Sequence, residues 1–426
     1  MTGGADSGAI TDEGVERLRA RIGVAQPHPQ PPHYRNPGED AFRHVAESYG
    51  DDNPLWCDPD HARASVWAGP IAPPPLNGGD TLVGVNEVAT LDPESRALLK
   101  GDPLGGAHAF FSGSFREWWA PLRPGMDVGR RNALVGVEDK QSEFANRAVH
   151  EWTAEVFAAR NPDVALNMQY RLMIRTERRS TGQKRKYDDI EIRPYTDDEI
   201  ARIDAAYADE VGRRRGPEPR WWEDVEAGDE IGPVVKGPLR VTDMICWHTG
   251  MGMGLYGVKA LRLGYQQRQK VPRFFRPDAL NIPDVQQRVH WDLEWAKRAG
   301  NPQTYDYGRM RETWLVHLCT DWMGDDAWLW KLDCEFRRFN YVGDTHWMRG
   351  RVTRRHLVDG DRPAVDLDVW GENQRGETTT PGHATILLPS REHGPVRLPD
   401  PPGGATTCAG LLEALTARFR DTEAAR

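Results

Sequence analysis

Only five cysteines occur in 426 residues, at positions 57, 246, 319, 334 and 408, and no two form a C-x-x-C pair. An odd, scattered set supplies neither a disulfide framework nor a thiolate metal centre, and it fits a reduced, cytoplasmic setting. No run of 18 apolar residues is present, so no membrane-spanning helix is expected. Met1 to Ala9 lacks the charged-then-apolar pattern of a secretory leader. Positive charge is not in excess: the formal net charge is −9 and the two signs are well mixed, which argues against nucleic acid as a partner. The sequence also lacks a phosphate-binding P-loop, a G-x-G-x-x-G following a strand, and a G-x-S-x-G elbow. No cofactor and no metal are therefore expected.

Tryptophan, by contrast, is abundant, with 16 copies, several of them close together as Trp118-Trp119, Trp221-Trp222 and Trp328/Trp330. Such large rings are read as packing within strands and interfaces. The length suits two or three domains. Residues 1–35 are polar and Pro-rich and are expected to be irregular. Residues 36–177 read as one unit, with a helical start over Asp40 to Tyr49. A helix is expected over 76–91, then strands over 108–119, 127–137, 145–158 and 165–175. Residues 178–218 form a charged connector whose helix, from Thr196 to Glu210, opens on a capping box of Thr196 and Glu199.

Residues 219–392 repeat this plan. Val241-Thr242-Asp243 opens a helix. Gly308 to Asp321 sets Met310, Trp314, Leu315 and Leu318 on one side, an amphipathic spacing. Strands follow over 328–339, 345–356, 364–370 and 383–388. Trp119 to Gly125 aligns with Arg337 to Gly343, each a strand end leading into a Gly turn, which points to duplication. Residues 393–426 form a Pro/Gly linker and a short helix around Leu411–Phe419. The pattern alone gives a duplicated α+β protein.

Two segments carry candidate chemistry. The first is Gly50-Asp51-Asp52-Asn53-Pro54-Leu55-Trp56-Cys57-Asp58, followed by Ile71-Ala72-Pro73-Pro74. The second is His290-Trp291-Asp292, then Trp295-Ala296, Gly300 and Tyr305-Asp306-Tyr307-Gly308. Both resemble the motif G-D-x-N-P-x-H-x-D-x-x-F-A, then I-x-H-G, of the MaoC-like, (R)-specific enoyl-CoA hydratases. The resemblance covers about residues 36–390 and is to members with an additional N-terminal dehydratase-like domain.

It implies a double hotdog fold, in which each half wraps a long central helix in an antiparallel sheet and the two sheets join. It further implies addition or removal of water at a thioester of coenzyme A or of an acyl carrier protein. In the family the glycine lies 18 positions beyond the catalytic histidine, and so does Gly308 beyond His290. In the first half Trp56 stands where the family has histidine. The glycine position falls on Pro74, which has no N–H to offer an oxyanion.

Dehydration takes a proton from the α-carbon and gives one to the β-hydroxyl, tasks suited to an imidazole and a carboxylate. The thioester oxygen gains negative charge that an N–H at a helix N-terminus can meet. The resemblance assigns His290 the acid/base role and Gly308 the oxyanion role. The carboxylate is open. The family's aspartate position is Val285, with Asp284 one residue away, while Asp51 and Asn53 match their positions in the half without histidine. An acid, Asp284 or Asp51, is expected within water-bridged reach of His290. Asp292 is read as a loop organiser.

The basic run Lys259 to Arg276 is either a phosphate-binding face or an ordinary solvated one. A homodimer is expected. Two alternatives to the hydro-lyase stay open: a non-catalytic thioester-binding or partner subunit, and a repurposed hotdog enzyme such as a thioesterase or tailoring lyase.

Overall fold

A computed structural model describes residues 8–26, 33–77, 80–81, 91–142, 146–177, 190, 192–252 and 258–424. Near the N-terminus lie α1 (Asp12–Arg19), α2 (Glu39–Ser48), α3 (Pro54–Cys57), α4 (Pro59–Ala64), the two-residue strand β1 (Asp80–Thr81) and α5 (Pro93–Leu98). Four long strands follow: β2 (His108–Trp118), β3 (Asp127–Ser142), β4 (Asn146–Arg160) and β5 (Val164–Thr176). The connector carries α6 (Asp197–Arg213), whose Thr196–Glu199 capping box is formed as expected. The second half opens with β6 (Glu230–Lys236), α7 (Val241–Met251), α8 (Leu261–Lys270), a small hairpin of β7 (Phe275–Pro277) and β8 (Pro283–Val285), and α9 (Leu293–Arg298). It ends with α10 (Gly308–Met323), β9 (Trp328–Glu335), β10 (His346–Val358), β11 (Arg362–Asn373), β12 (Thr378–Leu387) and α11 (Cys408–Ala424). Among the described residues no helix is long and apolar enough to cross a membrane.

The strands form one ten-stranded sheet in the order β1-β3-β4-β5-β2-β9-β12-β11-β10-β6. The halves share a topology: the first long strand of each, β2 or β9, lies beside the last, β5 or β12. They meet where β2 pairs antiparallel with β9, from Gly113 opposite Glu335 to Glu117 opposite Lys331. The turns read as repeats keep their likeness, since Gly125 and Gly343 both take positive φ, at 77° and 96°. This is a duplicated sheet whose second half wraps α10, as the double hotdog requires.

Four features differ from expectation. Residues 12–19 are helical rather than irregular; Thr11 caps α1, and Val15 and Leu18 pack with Leu104, Leu134 and Val149. Of the helix expected over 76–91, most lies outside the described residues; Leu76–Asn77 are not helical, and Asp80–Thr81 pair in parallel with β3. The strand β6 was hidden by its Gly232-Pro233 interior. Proline cannot donate to a ladder, and the register against β10 shifts there, a break that an edge strand tolerates. Finally, α10 is not amphipathic. Every residue from Met310 to Met323 is buried, including Arg311, Glu312, His317 and Asp321, so its polar side chains must find partners inside the protein.

The C-terminal helix covers the outer face of the first-half sheet. Leu411, Leu412 and Leu415 pack on Ala133, Val135, Ala154, Val156 and Met168. Alternation along the strands puts the next residues, such as Glu155, Gln169 and Arg116, on the opposite, inner face.

Candidate active site

His290 ends a 3-10 turn, Gln286–His290, that follows the β7–β8 hairpin. The turn is anchored by the fully buried Val285 and by Arg288, which donates to the Arg276 and Pro277 carbonyls at 2.9 and 3.1 Å and lies over the Trp295 ring. Asp292 is indeed a loop organiser, since its side chain caps α9 by accepting from Trp295 N at 2.9 Å. His290 Nδ1 is 2.8 Å from the Tyr305 carbonyl. A carbonyl only accepts, so Nδ1 carries the proton and Nε2 keeps the lone pair. Its ring packs 4.0 Å from that of Tyr307 and 4.7 Å from that of Tyr305, centroid to centroid. Burial drives the imidazole down to about 4, His248 adds to that, and the Tyr305 carbonyl pulls the other way. At neutral pH His290 is therefore an uncharged base.

Tyr307 is also the N-cap of α10, which brings His290 to the start of that helix, at Gly308. The first amides of a helix have no intrahelical acceptor and carry the positive end of its dipole. The Gly308 position admits little more than hydrogen: a Cβ there would lie 2.9 Å from the Phe336 ring. The adjacent Asp306 is buried and held by Asn340 Nδ2 at 2.9 Å and Arg311 Nε at 3.0 Å. Burial nonetheless leaves its carboxyl above the ordinary range.

The two carboxylates expected near His290 have partners of their own. Asp284 lies half-buried on the hairpin and accepts from Val285 N at 2.7 Å. Besides burial, the groups that move the titration of His290 are the Tyr305 carbonyl, His248 and the Asp306 backbone. Asp51 is fully engaged. One oxygen accepts from Asn53 N at 2.9 Å, and the other accepts from Trp56 Nε1 at 2.9 Å and Tyr49 OH at 3.2 Å. Asn53 caps α3 through Leu55 N at 3.0 Å, with Pro54 at the first helical position. The tryptophan that replaces the family's histidine has thus become a hydrogen-bond donor to the motif's own aspartate. Nearby, Trp56, Trp67, Pro74, Trp118 and Trp328 line an apolar pocket of only about 30 Å³.

Asp51 instead faces His317 of α10, with Nε2 3.6 Å from its Oδ1. Asp321 Oδ2 is 3.2 Å from the same nitrogen, and Lys236 Nζ is 2.6 Å from Nδ1 and 2.9 Å from the Tyr49 carbonyl. Arg214 Nε donates to Asp321 at 2.9 Å, and the same guanidinium reaches Asp52 and Asp51 at 2.5 and 3.9 Å. Burial pushes the Asp321 carboxyl up, but His317 and Arg214 outweigh it and hold it below its usual value. Burial lowers Lys236. Asp51, His317 and Asp321 place three potential ligand atoms within 4.8 Å of one another. Arg214 reaches Asp51, Asp52 and Asp321, and Lys236 holds His317, so the cluster links the two halves through polar contacts. The His317–Asp321 spacing of four on one helix was the only sequence signal for it.

No family model matches this sequence, and no curated protein does. Its fold is similar to that of a MaoC-like dehydratase at a TM-score of 0.55 and 15% identity, over 87% of this chain and 99% of the other. It is also similar to a MaoC domain protein dehydratase from Chloroflexus aurantiacus J-10-fl at a TM-score of 0.52 and 13% identity, over 92% of this chain and 100% of the other. The strand order, the duplicated halves and these likenesses together show that the chain has the double hotdog fold of MaoC-like dehydratases.

Proposed function

We propose that this chain adds water to, or removes it from, an acyl thioester, with His290 as proton carrier and the Gly308 amide as oxyanion donor. The observation that carries the reading is the 2.8 Å contact of His290 Nδ1 with the Tyr305 carbonyl and the packing of its ring on Tyr307, which hold the imidazole beside the first residue of α10. In the dehydrating direction Nε2 takes the α-proton. The electron pair moves toward the thioester carbonyl, whose oxygen is met by Gly308 N–H. The resulting imidazolium Nε2–H then protonates the β-hydroxyl, water leaves, and the α–β double bond forms. One imidazole performs both transfers, so no second carboxylate is needed in the balance. Asp51, Asn53 and Asp284 then serve to hold the loops. The exposed Arg262, Lys270, Arg273 and Arg276, just ahead of His290, give the phosphates of a coenzyme A thioester a face to meet.

The incomplete motifs, with Trp56 and Pro74 in the first half and Val285 at the aspartate position of the second, favour a second reading, a thioester-binding subunit without chemistry. Incubation with enoyl-CoA thioesters, followed by loss of the conjugated absorbance, separates the two. Turnover that disappears in His290→Gln supports the hydro-lyase. Binding of acyl-CoA that survives His290→Gln, with no turnover by either protein, supports the binding subunit.

A further inference from the structure

Proteins seldom leave large apolar side chains in water close together, yet the stretch ahead of His290 does. Helix α8 buries none of its residues, and Leu261, Leu263 and Tyr265 on it are exposed, Leu261 by 92%. Val271 just beyond it, and Leu280 and Ile282 between β7 and β8, are exposed as well, Leu280 by 78%. Single exposed apolar residues need no explanation, but a run of them marks a contact surface.

The same stretch reverses the sign of the chain. Lys259, Arg262, Arg268, Lys270, Arg273 and Arg276 lie between Val258 and Pro277 with no acid among them, whereas the whole chain has a formal charge of −9. Among the described residues none of these six side chains makes an ion pair. The acids of the adjoining hairpin are engaged locally. Asp278 accepts from Leu280 N and Ile282 N, both at 2.8 Å, and Asp284, which stands opposite Arg276, accepts from Val285 N at 2.7 Å. The stretch is also bonded to the turn that ends at His290. Gln286 Nε2 donates to the Arg273 carbonyl at 3.0 Å, and Arg288 donates to those of Arg276 and Pro277.

The phosphates of coenzyme A match the cations but leave Leu261, Leu263, Leu280 and Ile282 in water. A second copy docked here about a twofold axis sets basic stretch against basic stretch. A membrane surface takes a helix whose apolar side chains share one face. On α8 they do not. Leu261 and Tyr265, four apart, share a side with Arg268, whose guanidinium lies 5.7 Å from the Tyr265 ring centroid; Leu263, two from Leu261, is on the opposite side with Lys270. Apolar and basic groups are interleaved round the helix, which fits a protein surface on which carboxylates alternate with apolar side chains.

We propose that the stretch from Lys259 to Ile282 docks an acidic protein that carries the acyl thioester on its own prosthetic arm. The inference rests on the thioester reading above and names its partner: the substrate arrives on a carrier protein rather than as a free coenzyme A thioester. Docking here sets the carrier beside the turn that ends at His290.

The test uses the full chain and three crotonyl thioesters: of a purified, free-standing acidic acyl carrier protein, of coenzyme A, and of pantetheine, which has neither protein nor nucleotide. Turnover is followed by loss of the conjugated absorbance, and binding of the acyl-free carrier by calorimetry at low and high salt. The variants are Leu263→Ser, Leu280→Ser and Arg268→Glu, with thermal unfolding as the check on folding. The carrier thioester is expected to show a KM at least tenfold below that of the coenzyme A thioester. Each variant should raise that KM about tenfold while turnover of the pantetheine thioester stays unchanged, and carrier binding should weaken as salt rises. A coenzyme A thioester used as well as the carrier thioester, or variants that leave the carrier KM unchanged, would overturn the docking site while leaving the thioester reading intact. An equal loss on all three thioesters would also overturn it, since the stretch would then shape the site of chemistry itself. So would a dimer in sedimentation that Leu263→Ser dissociates, or binding to phosphatidylglycerol vesicles that Leu263→Ser abolishes. If no thioester is turned over or bound, the thioester reading fails. Acyl-free carrier that still binds the wild type and not Arg268→Glu would then keep the docking site, and carrier that does not bind would remove it too.

Discussion

Asp51 of the first motif and His317 of the second central helix face one another across the seam of the molecule, Nε2 to Oδ1 at 3.6 Å. An aspartate and a histidine meet across the halves, but the histidine is not the one in the motif. Both groups are buried, with Lys236, Arg214 and Asp321 completing the network. Removing one charge from such a network leaves its partners desolvated and uncompensated.

Asp51→Asn is accordingly expected to lose on the order of 3 kcal/mol of stability, read from urea unfolding. Turnover per folded molecule should be nearly unchanged. A variant with wild-type stability and abolished turnover would instead place Asp51 in the chemistry. Asp284→Asn, whose carboxylate is half-exposed and bonds its own hairpin, should change both quantities little.

His290 and His346 are buried neutral, His290 lowered to about 4 and His346 to about 3, burial being the main cause in each. The unfolded chain takes up protons on both near 6.5, whereas the folded chain does not until much lower pH. Stability should therefore fall as pH drops from about 6.5 toward 4. His290→Gln removes one of these two groups and should flatten the fall over that window, measured as unfolding midpoints against pH. For activity, the His290 limb of kcat/KM should lie near pH 4, not near 6.5.

Gly308→Ala tests the start of α10. Alanine is the better helix former by about 1 kcal/mol. Here its methyl would lie 2.9 Å from Phe336, so the ring or the helix start must move. Turnover is expected to fall tenfold or more, with a net stability loss of about 1–3 kcal/mol. The double variant with Phe336→Leu should regain stability, because the obstruction is the ring. A single variant with wild-type rate would remove Gly308 from the proposed mechanism.

The C-terminal helix is predicted to be a structural cover. Leu415 is fully buried against the outer face of the first-half sheet, and Leu415→Ala should cost roughly 3 kcal/mol. Truncation before Cys408 would expose Ala133, Val135, Val156 and Met168 as a contiguous apolar face. That variant should form larger aggregates than the full chain, as seen by light scattering.

Much of the fold was legible in the sequence, because alternation and Gly turns mark long antiparallel strands plainly. The eight strands read from the sequence all exist, with shifted ends. What the pattern could not show was the surroundings of each element. Met310, Trp314 and Leu318 suggested one apolar face, yet α10 is buried all round, because Glu312 meets Arg116 of the other half and Arg311 meets Asp306. The site divides in the same way. The His290-to-Gly308 spacing is local and brought both to the start of one helix. The partners of Asp51 are set by contacts between the halves, for which linear spacing carries no information. Trp56 was noted as a missing histidine; that its indole would donate to Asp51 depends on the loop's shape.

The pairing of β2 with β9 has a consequence for how such a protein can change. Two identical subunits joined edge to edge would carry every substitution twice, and a change that ruined one catalytic loop would ruin both. Here the two edges belong to one chain and are written separately. Trp56 and Pro74 stand at motif positions of one half where the other has His290 and Gly308. Duplication within a single chain lets each half of one sheet change without the other.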